Sequence, residues 1–230
     1  MSDVALTLCL INFGYIALLP RKFFKRGSKL TWQWWATAWP LFAMPALLAM
    51  HYNGWLPTLL DDRELRPYLP VLAVLSVVLS TLSLVVVGFT IGTHRVPIYM
   101  FHDKEDSGQT KHLVTWGPYQ WIRHPLYASY VYALIAGTMY APSIATFICL
   151  IYGYAALDYT ASREEKRLSG HDEFGDEYRD YIKVTGRFWP PLAPIFRYTG
   201  FLSKAHKEKV EAAATANVAN TQPTASANPQ

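Results

Sequence analysis

Apolar residues in this chain come in blocks of membrane-helix length, and the polar residues gather between them. Residues 4–19 form the first block; Asp3 precedes it, and Arg21, Lys22, Lys25, Arg26 and Lys29 follow it. A cleaved leader carries its cations before the apolar run, so this block is expected to stay as an anchor. Residues 32–50 form the second block, opened by Trp32, Trp34, Trp35 and Trp39 as an interfacial belt and interrupted by Pro40 and Pro45, which predict kinks. The third, 68–92, contains no charge and exceeds the about 20 apolar residues a spanning helix needs. Blocks 126–140 and 142–159 are separated by almost nothing, which predicts an antiparallel helical hairpin. The pattern predicts an all-α, polytopic membrane protein with about five transmembrane helices.

The segments between the blocks set orientation. The connection 51–67 holds Asp61, Asp62, Arg63, Glu64 and Arg66, without the cationic excess of the first loop. Positive charge favours the cytoplasmic side, which puts the N-terminus outside and, after five crossings, the C-terminus in the cytoplasm. Segments 93–124 and 163–191 then share the cytoplasmic face and can form one site. The first is much longer than a link between adjacent helices needs, a mark of function in compact domains. Within 172–184, Phe174, Tyr178, Tyr181 and Ile182 recur at helical spacing opposite charged residues, so an amphipathic helix in the headgroup region is expected. Residues 203–230 lack apolar periodicity, and a disordered tail is expected after a single membrane-embedded domain, 1–202.

Composition adds little to this picture except by exclusion. The chain is 51% hydrophobic and its formal charge of +4 collects in cationic stretches at block ends, which speaks to orientation rather than to nucleic acid. Cys9 and Cys149 both fall inside apolar blocks, so they read as packed thiols, with no disulfide and no metal site expected.

Candidate chemistry concentrates in two places. In Gly117-Pro118-Tyr119-Gln120-Trp121-Ile122-Arg123-His124-Pro125-Leu126-Tyr127, Pro125 suits the first turn of a helix, because its missing N–H has no intrahelical partner there. Free N–H groups and the positive dipole end would then sit beside Arg123 and His124, a place for an anion. Interfacial anchoring without chemistry is the plainer reading of the same residues. The second place is Arg163-Glu164-Glu165-Lys166-Arg167-Leu168. Two carboxylates at a helix C-terminus face the negative dipole end and call for cationic compensation. Solvated pairs with Arg163, Lys166 and Arg167 would supply it plainly; a bound cofactor's ammonium or hydroxyls would supply it functionally. Arg187, within Gly186-Arg187-Phe188-Trp189-Pro190, is either another anchor or a fork for an anion.

Taken together, Gly117-x-Tyr119, Arg123-His124-Pro125-x-Tyr127, Glu164-Glu165-x-x-Leu168, Gly175-x-Glu177-Tyr178-x-x-Tyr181 and Arg187-Phe188-Trp189-Pro190 resemble the isoprenylcysteine carboxyl methyltransferase and phospholipid methyltransferase families over roughly 113–191. The resemblance implies a membrane enzyme that binds S-adenosylmethionine between its last helices and C-terminal segment and methylates a lipophilic acceptor. It implies that His124, Pro125, Tyr127, Glu164 and Glu165 line the cofactor pocket and that Arg187 sits near the transferring methyl. Residue chemistry agrees with this. Arg123 and His124 suit the cofactor carboxylate, Glu164 or Glu165 its ammonium or ribose, and Tyr127 or Tyr178 its sulfonium. Tyr119 completes the cofactor-binding set, and Arg187 with Glu165 forms the expected catalytic pair; in-line methyl transfer needs no metal. Gln120 departs from the Arg usual at that place, and 93–111 resembles no part of the families. A prenylcysteine-type carboxylate is the first acceptor expected and a phospholipid amine the second. The rival readings are a nicotinamide-dependent membrane sterol or enone reductase and a non-catalytic lipid-binding protein.

Overall fold

Each apolar block folds as a helix. The computed structural model describes residues 2–18, 25–26, 29–30, 32–59, 62–94, 113–171 and 173–191. Helix α1 is Ser2–Leu18, and a minimal antiparallel pair, β1 Lys25–Arg26 with β2 Lys29–Leu30, leads to α2, Trp32–Tyr52. A short α3, Asp62–Leu65, precedes the long α4, Leu69–His94; then come α5, Pro125–Tyr140, α6, Ile144–Leu168, and α7, Asp176–Val184. Most of the cationic stretch after the first block, most of the long polar connection (95–112) and the expected tail 203–230 lie outside the described residues.

Among the described residues two helices, α4 over Leu69–Thr93 and α6 over Ile144–Leu168, are long and apolar enough to cross a membrane, and a shorter apolar helix covers Asp3–Ala17. Length separates α5 from them. Its 16 residues extend about 24 Å, less than a hydrocarbon core of about 30 Å. Instead α5 is the centre of the packing. Residues Ala128 to Leu134, with Ala136 and Gly137, are buried all round it, as befits a helix apolar on every face. Helices α1, α4, α6 and α2 pack on α5, while α4 and α6 turn Val71, Val78, Val85, Phe89, Ile144, Phe147, Ile148 and Ile151 outward. Apolar surface of that extent marks a contact with membrane or with protein.

Local chemistry explains the helix limits. Pro125 starts α5 as its sequence position predicts, with His124 as the residue before it. Ser143 caps α6 reciprocally: its hydroxyl accepts from the Thr146 N–H (3.2 Å) and the Thr146 hydroxyl accepts from the Ser143 N–H (3.1 Å). Pro40 and Pro45 both lie inside α2. Pro40 has no N–H to give the Ala36 carbonyl, and the Tyr152 hydroxyl of α6 donates to that carbonyl instead (2.9 Å).

The helices alternate in direction. At one end Leu59 N–H donates to Pro142 O (2.8 Å) and His51 meets Tyr140 edge-on, so the end of α2 lies beside the α5–α6 turn. At the other, Trp116 Nε1 donates to Thr93 O (3.4 Å), joining the end of α4 to the segment that enters α5. The start of α5 and the end of α6 therefore share one end of the bundle. Between α1, α4 and α5 runs a neutral polar seam. Asn12 Nδ2 donates to Ser80 O (2.8 Å), Ser76 Oγ to Ala136 O (2.8 Å), and Ser83 Oγ shares its hydrogen between Asn12 Oδ1 (2.9 Å) and Ser129 O (2.7 Å). Cys9 is a free, buried thiol against Ser76 and Ser80, and Cys149 is free and buried as well.

Helix α7 is shorter than the amphipathic segment read from the sequence, because Gly175 at φ +54° turns the chain immediately before it. Its apolar face packs onto the protein: Tyr178 and Tyr181 are buried, and the Tyr181 hydroxyl donates to Tyr119 O (2.6 Å). The contacts gather Met1–Pro190 into one compact unit.

Candidate functional site

Glu165 is the centre on which three stretches of chain converge. It lies in the last turn of α6 with its side chain 9% exposed. Arg123 Nε donates to Glu165 Oε1 at 2.9 Å from the segment entering α5. His124 Nε2 stands 3.3 Å from the same oxygen; a carboxylate only accepts, so that nitrogen carries the hydrogen. From the segment after α7, Arg187 grips both oxygens, Nε to Oε1 at 3.2 Å and NH2 to Oε2 at 2.6 Å. The cations that a carboxylate at a helix C-terminus calls for thus come from distant chain, where the plainer sequence reading placed them on α6 itself.

Backbone pairing holds these groups in register. Ile122 and Gly186 form a parallel bridge: Gly186 N–H donates to Trp121 O (3.0 Å), Arg123 N–H to Gly186 O (2.8 Å) and His124 N–H to Arg187 O (3.2 Å). Gly186 must be glycine, because a Cβ there would collide with the Trp189 carbonyl. The Tyr132 hydroxyl donates to Phe188 O (2.7 Å), and Phe188 is buried against the edges of His124 and Tyr154. At the other flank Gly117, at φ +64°, lets the chain pass close against Thr93.

Glu164 is built differently from its neighbour. Its side chain is 38% exposed, and Oε2 takes the Tyr127 hydroxyl (3.4 Å) and lies 3.6 Å from His124 Nδ1. The His124 and Tyr127 rings stack at 5.4 Å. One carboxylate is therefore spent inside the protein and the other faces outward with an aromatic wall beside it. Trp121 Nε1 is a buried donor with no partner among the described residues, an arrangement that burial makes costly unless a ligand answers it.

The sequence-predicted residues largely meet. Arg123, His124, Pro125, Tyr127, Glu164, Glu165 and Arg187 converge at one end of the bundle. Arg123 turns inward: besides Glu165, its NH1 donates to Ile182 O (3.2 Å) and to Thr185 O. Tyr119 and Tyr178 pack at the margin. Burial pushes the Tyr119 and Tyr178 phenols well above the ordinary tyrosine range, with Glu164 adding to the rise at Tyr119 and Glu165 and Glu164 at Tyr178. Both are neutral at physiological pH. The hydrogen bonds to Glu165, then Asp158, raise the Arg187 guanidinium further above its already high value, so it is a permanent cation. Asp158 is the residue that the motifs missed. It is held by Arg187 NH1 at 2.5 Å, and its signal was a lone charge at the end of an apolar block, seven residues before Glu165.

Two helices with apolar outer faces stand beside a charged cluster at one end of the bundle, as suits a membrane protein. The model of the isoprenylcysteine carboxyl methyltransferase (ICMT) family matches residues 71–169. That match bears out the resemblance to the isoprenylcysteine carboxyl methyltransferase family as far as residue 169 and supports a methyltransferase, a transferase of membranes. It covers α4, α5 and α6 with Arg123, His124, Glu164 and Glu165, and ends before α7 and Arg187. No curated protein and no solved structure matches the chain.

Proposed function

We propose that this chain is an S-adenosylmethionine-dependent methyltransferase of a lipophilic acceptor, a prenylcysteine-type carboxylate first, working at the cytoplasmic membrane face. The observation that carries the reading is the convergence of Arg123-His124 and Glu164-Glu165, both inside the family match, with Arg187 beyond it. The donor set fits the cofactor: an exposed carboxylate at Glu164 for an ammonium or ribose, the stacked His124–Tyr127 wall, and the orphaned Trp121 Nε1. When bound, S-adenosylmethionine supplies a methyl group on a positively charged sulfur. The chain's own residues hold and orient. Pro125 fixes the start of α5 beside His124; Tyr127 offers an aromatic face; Tyr119 and Tyr178 close the margin; Arg123 fixes Glu165, and Glu165 fixes Arg187. Arg187 steers the acceptor, and a carboxylate acceptor is already ionised at neutral pH, so no residue need take a proton.

The topology belongs to the same proposal. Five spans with the N-terminus outside, the short α5 crossing inside the bundle where it meets helices rather than lipid, put the start of α5, the end of α6 and the first cationic loop on one cytoplasmic face, in line with the alternating helix directions. Residues 1–202 then act as one membrane-embedded domain with 203–230 as its tail.

Methyl-labelled cofactor, incubated with the protein and extracted lipids, tests the reading. Label recovered as methanol after mild base is the expected result, with a rate flat from about pH 6 to 8; a tenfold rise per pH unit would point to an amine. Arg187→Lys keeps the charge and removes the fork. Turnover is expected to fall roughly a hundredfold with cofactor binding retained, and turnover within about threefold of wild type would remove Arg187 from the reaction.

A further inference from the structure

Asp158 is a charge near the end of the apolar part of α6 that the chemistry above leaves without a task. It stands seven residues before Glu165 on the same helix, two turns and about 10 Å down one face. Arg187 bridges the two carboxylates. A guanidinium has two edges on which a carboxylate docks with both oxygens. Glu165 fills the inner edge through Nε and NH2, whereas NH1, on the terminal edge, meets a single Asp158 oxygen at 2.5 Å. Enclosure differs as well: the Glu165 side chain is 9% exposed, Arg187 30% and Asp158 42%. The inner contact is a buried, two-pronged pair that resists exchange, and the outer one is a single-pronged pair open to competition. Ionisable groups near membrane depth are costly to keep, which marks them as functional.

We infer that Asp158 is an internal competitor of the acceptor: it occupies the terminal edge of Arg187, and an anionic acceptor group must displace it there, so Asp158 sets how tightly anions, and not neutral groups, are held. This deepens the proposed function and rests on its reading of Arg187 as the acceptor's anchor. A neutral group offers Arg187 too little to displace a carboxylate, whereas an anion replaces like with like. The contact also keeps Arg187 extended toward the acceptor side before any acceptor arrives, so Asp158 acts through Arg187 rather than on the acceptor.

Affinity read without turnover tests this. The full chain in lipid nanodiscs is titrated with N-acetyl-S-farnesylcysteine and with its neutral carboxamide, in wild type, Asp158→Asn and Asp158→Glu. Removing the competing charge should tighten the carboxylate probe roughly tenfold and move the carboxamide less than about twofold, and Asp158→Glu should return the ratio toward wild type. Equal changes for both probes, weaker carboxylate binding in Asp158→Asn, or no carboxylate binding in any of the three proteins would each overturn it. Thermal unfolding of each variant separates a folding defect, and Asp158→Glu keeps the test open if Asp158→Asn is unstable. Failure of the methyltransferase reading looks different: no label is transferred to any lipid, yet the charge-selective tightening persists. Transferred label with an unchanged affinity ratio would remove Asp158 alone.

Discussion

Two buried polar regions lie in this bundle, and they are made on opposite principles. The seam between α1, α4 and α5 uses Cys9, Asn12, Ser76, Ser80 and Ser83, all neutral, all buried, and satisfied largely by backbone carbonyls of the neighbouring helix. The cluster at the end of α6 uses ions, drawn from the segment before α5, from α6 and from the segment after α7. Neutral groups can be buried at membrane depth for a modest return, because each hydrogen bond there is worth about 0.6 kcal/mol on average. Charges cannot be buried singly, so they are collected at one end of the bundle and made to satisfy one another. The seam fastens helices; the cluster stores charge in a fixed geometry that a ligand can use.

Removing the centre of the cluster should have the largest effect. Glu165→Ala leaves Arg123, His124 and Arg187 facing one another without their shared carboxylate. Breaking a buried ion pair by deleting one partner costs about 3–5 kcal/mol, so thermal unfolding should shift by many degrees and methyl transfer should vanish. Glu165→Gln keeps the shape, and an unaltered melting temperature in it would mean that the ions contribute nothing to folding. Gly186→Ala comes next. Its Cβ has nowhere to go against the Trp189 carbonyl, so the parallel bridge to Ile122 must open and Arg187 must move. Turnover should fall roughly a hundredfold with a smaller loss of stability; wild-type kinetics would show that the bridge does not position Arg187.

The seam should answer differently. Asn12→Ala removes the amide that ties α1 to Ser80 O on α4, and stability should drop by about 1 kcal/mol while turnover per folded molecule stays constant. A selective loss of turnover in that variant would join the two regions functionally and undo the contrast.

Legibility in the sequence followed the same divide. The helices were legible because lipid imposes long apolar runs, and Pro125 was legible because proline has few places to go. The ionic cluster was legible as residue types, Arg-His-Pro and the paired Glu, but not as a contact map, since Arg187 meets Glu165 through a parallel bridge that no local pattern announces. The cations expected on α6 itself came from elsewhere for that reason. The seam is silent in the sequence although Ser76, Ser80 and Ser83 repeat at helical spacing, because serines in an apolar run barely disturb its periodicity. Asp158 is equally silent because it closes an apolar block, where a charge reads as the block's edge.

The smallest expected effect lies where one helix repairs another. Pro40 lacks the N–H that would close the Ala36 carbonyl, and Tyr152, exposed on α6, donates its hydroxyl there at 2.9 Å. Tyr152→Phe keeps the ring against Trp39, whose centroid is 5.0 Å away, and removes only the donor. In water the carbonyl would find a solvent partner and the change would cost nothing. In lipid it finds none, and an unsatisfied carbonyl costs about 1–3 kcal/mol, reduced here by the half-exposed position to about 1 kcal/mol. Unfolding of wild type and Tyr152→Phe should therefore differ by that amount in lipid nanodiscs. The difference should shrink in a short-chain detergent that admits water around α2. Equal stability in both media would mean that the proline-freed carbonyl is already satisfied elsewhere and that α6 packs on α2 by its apolar contacts alone.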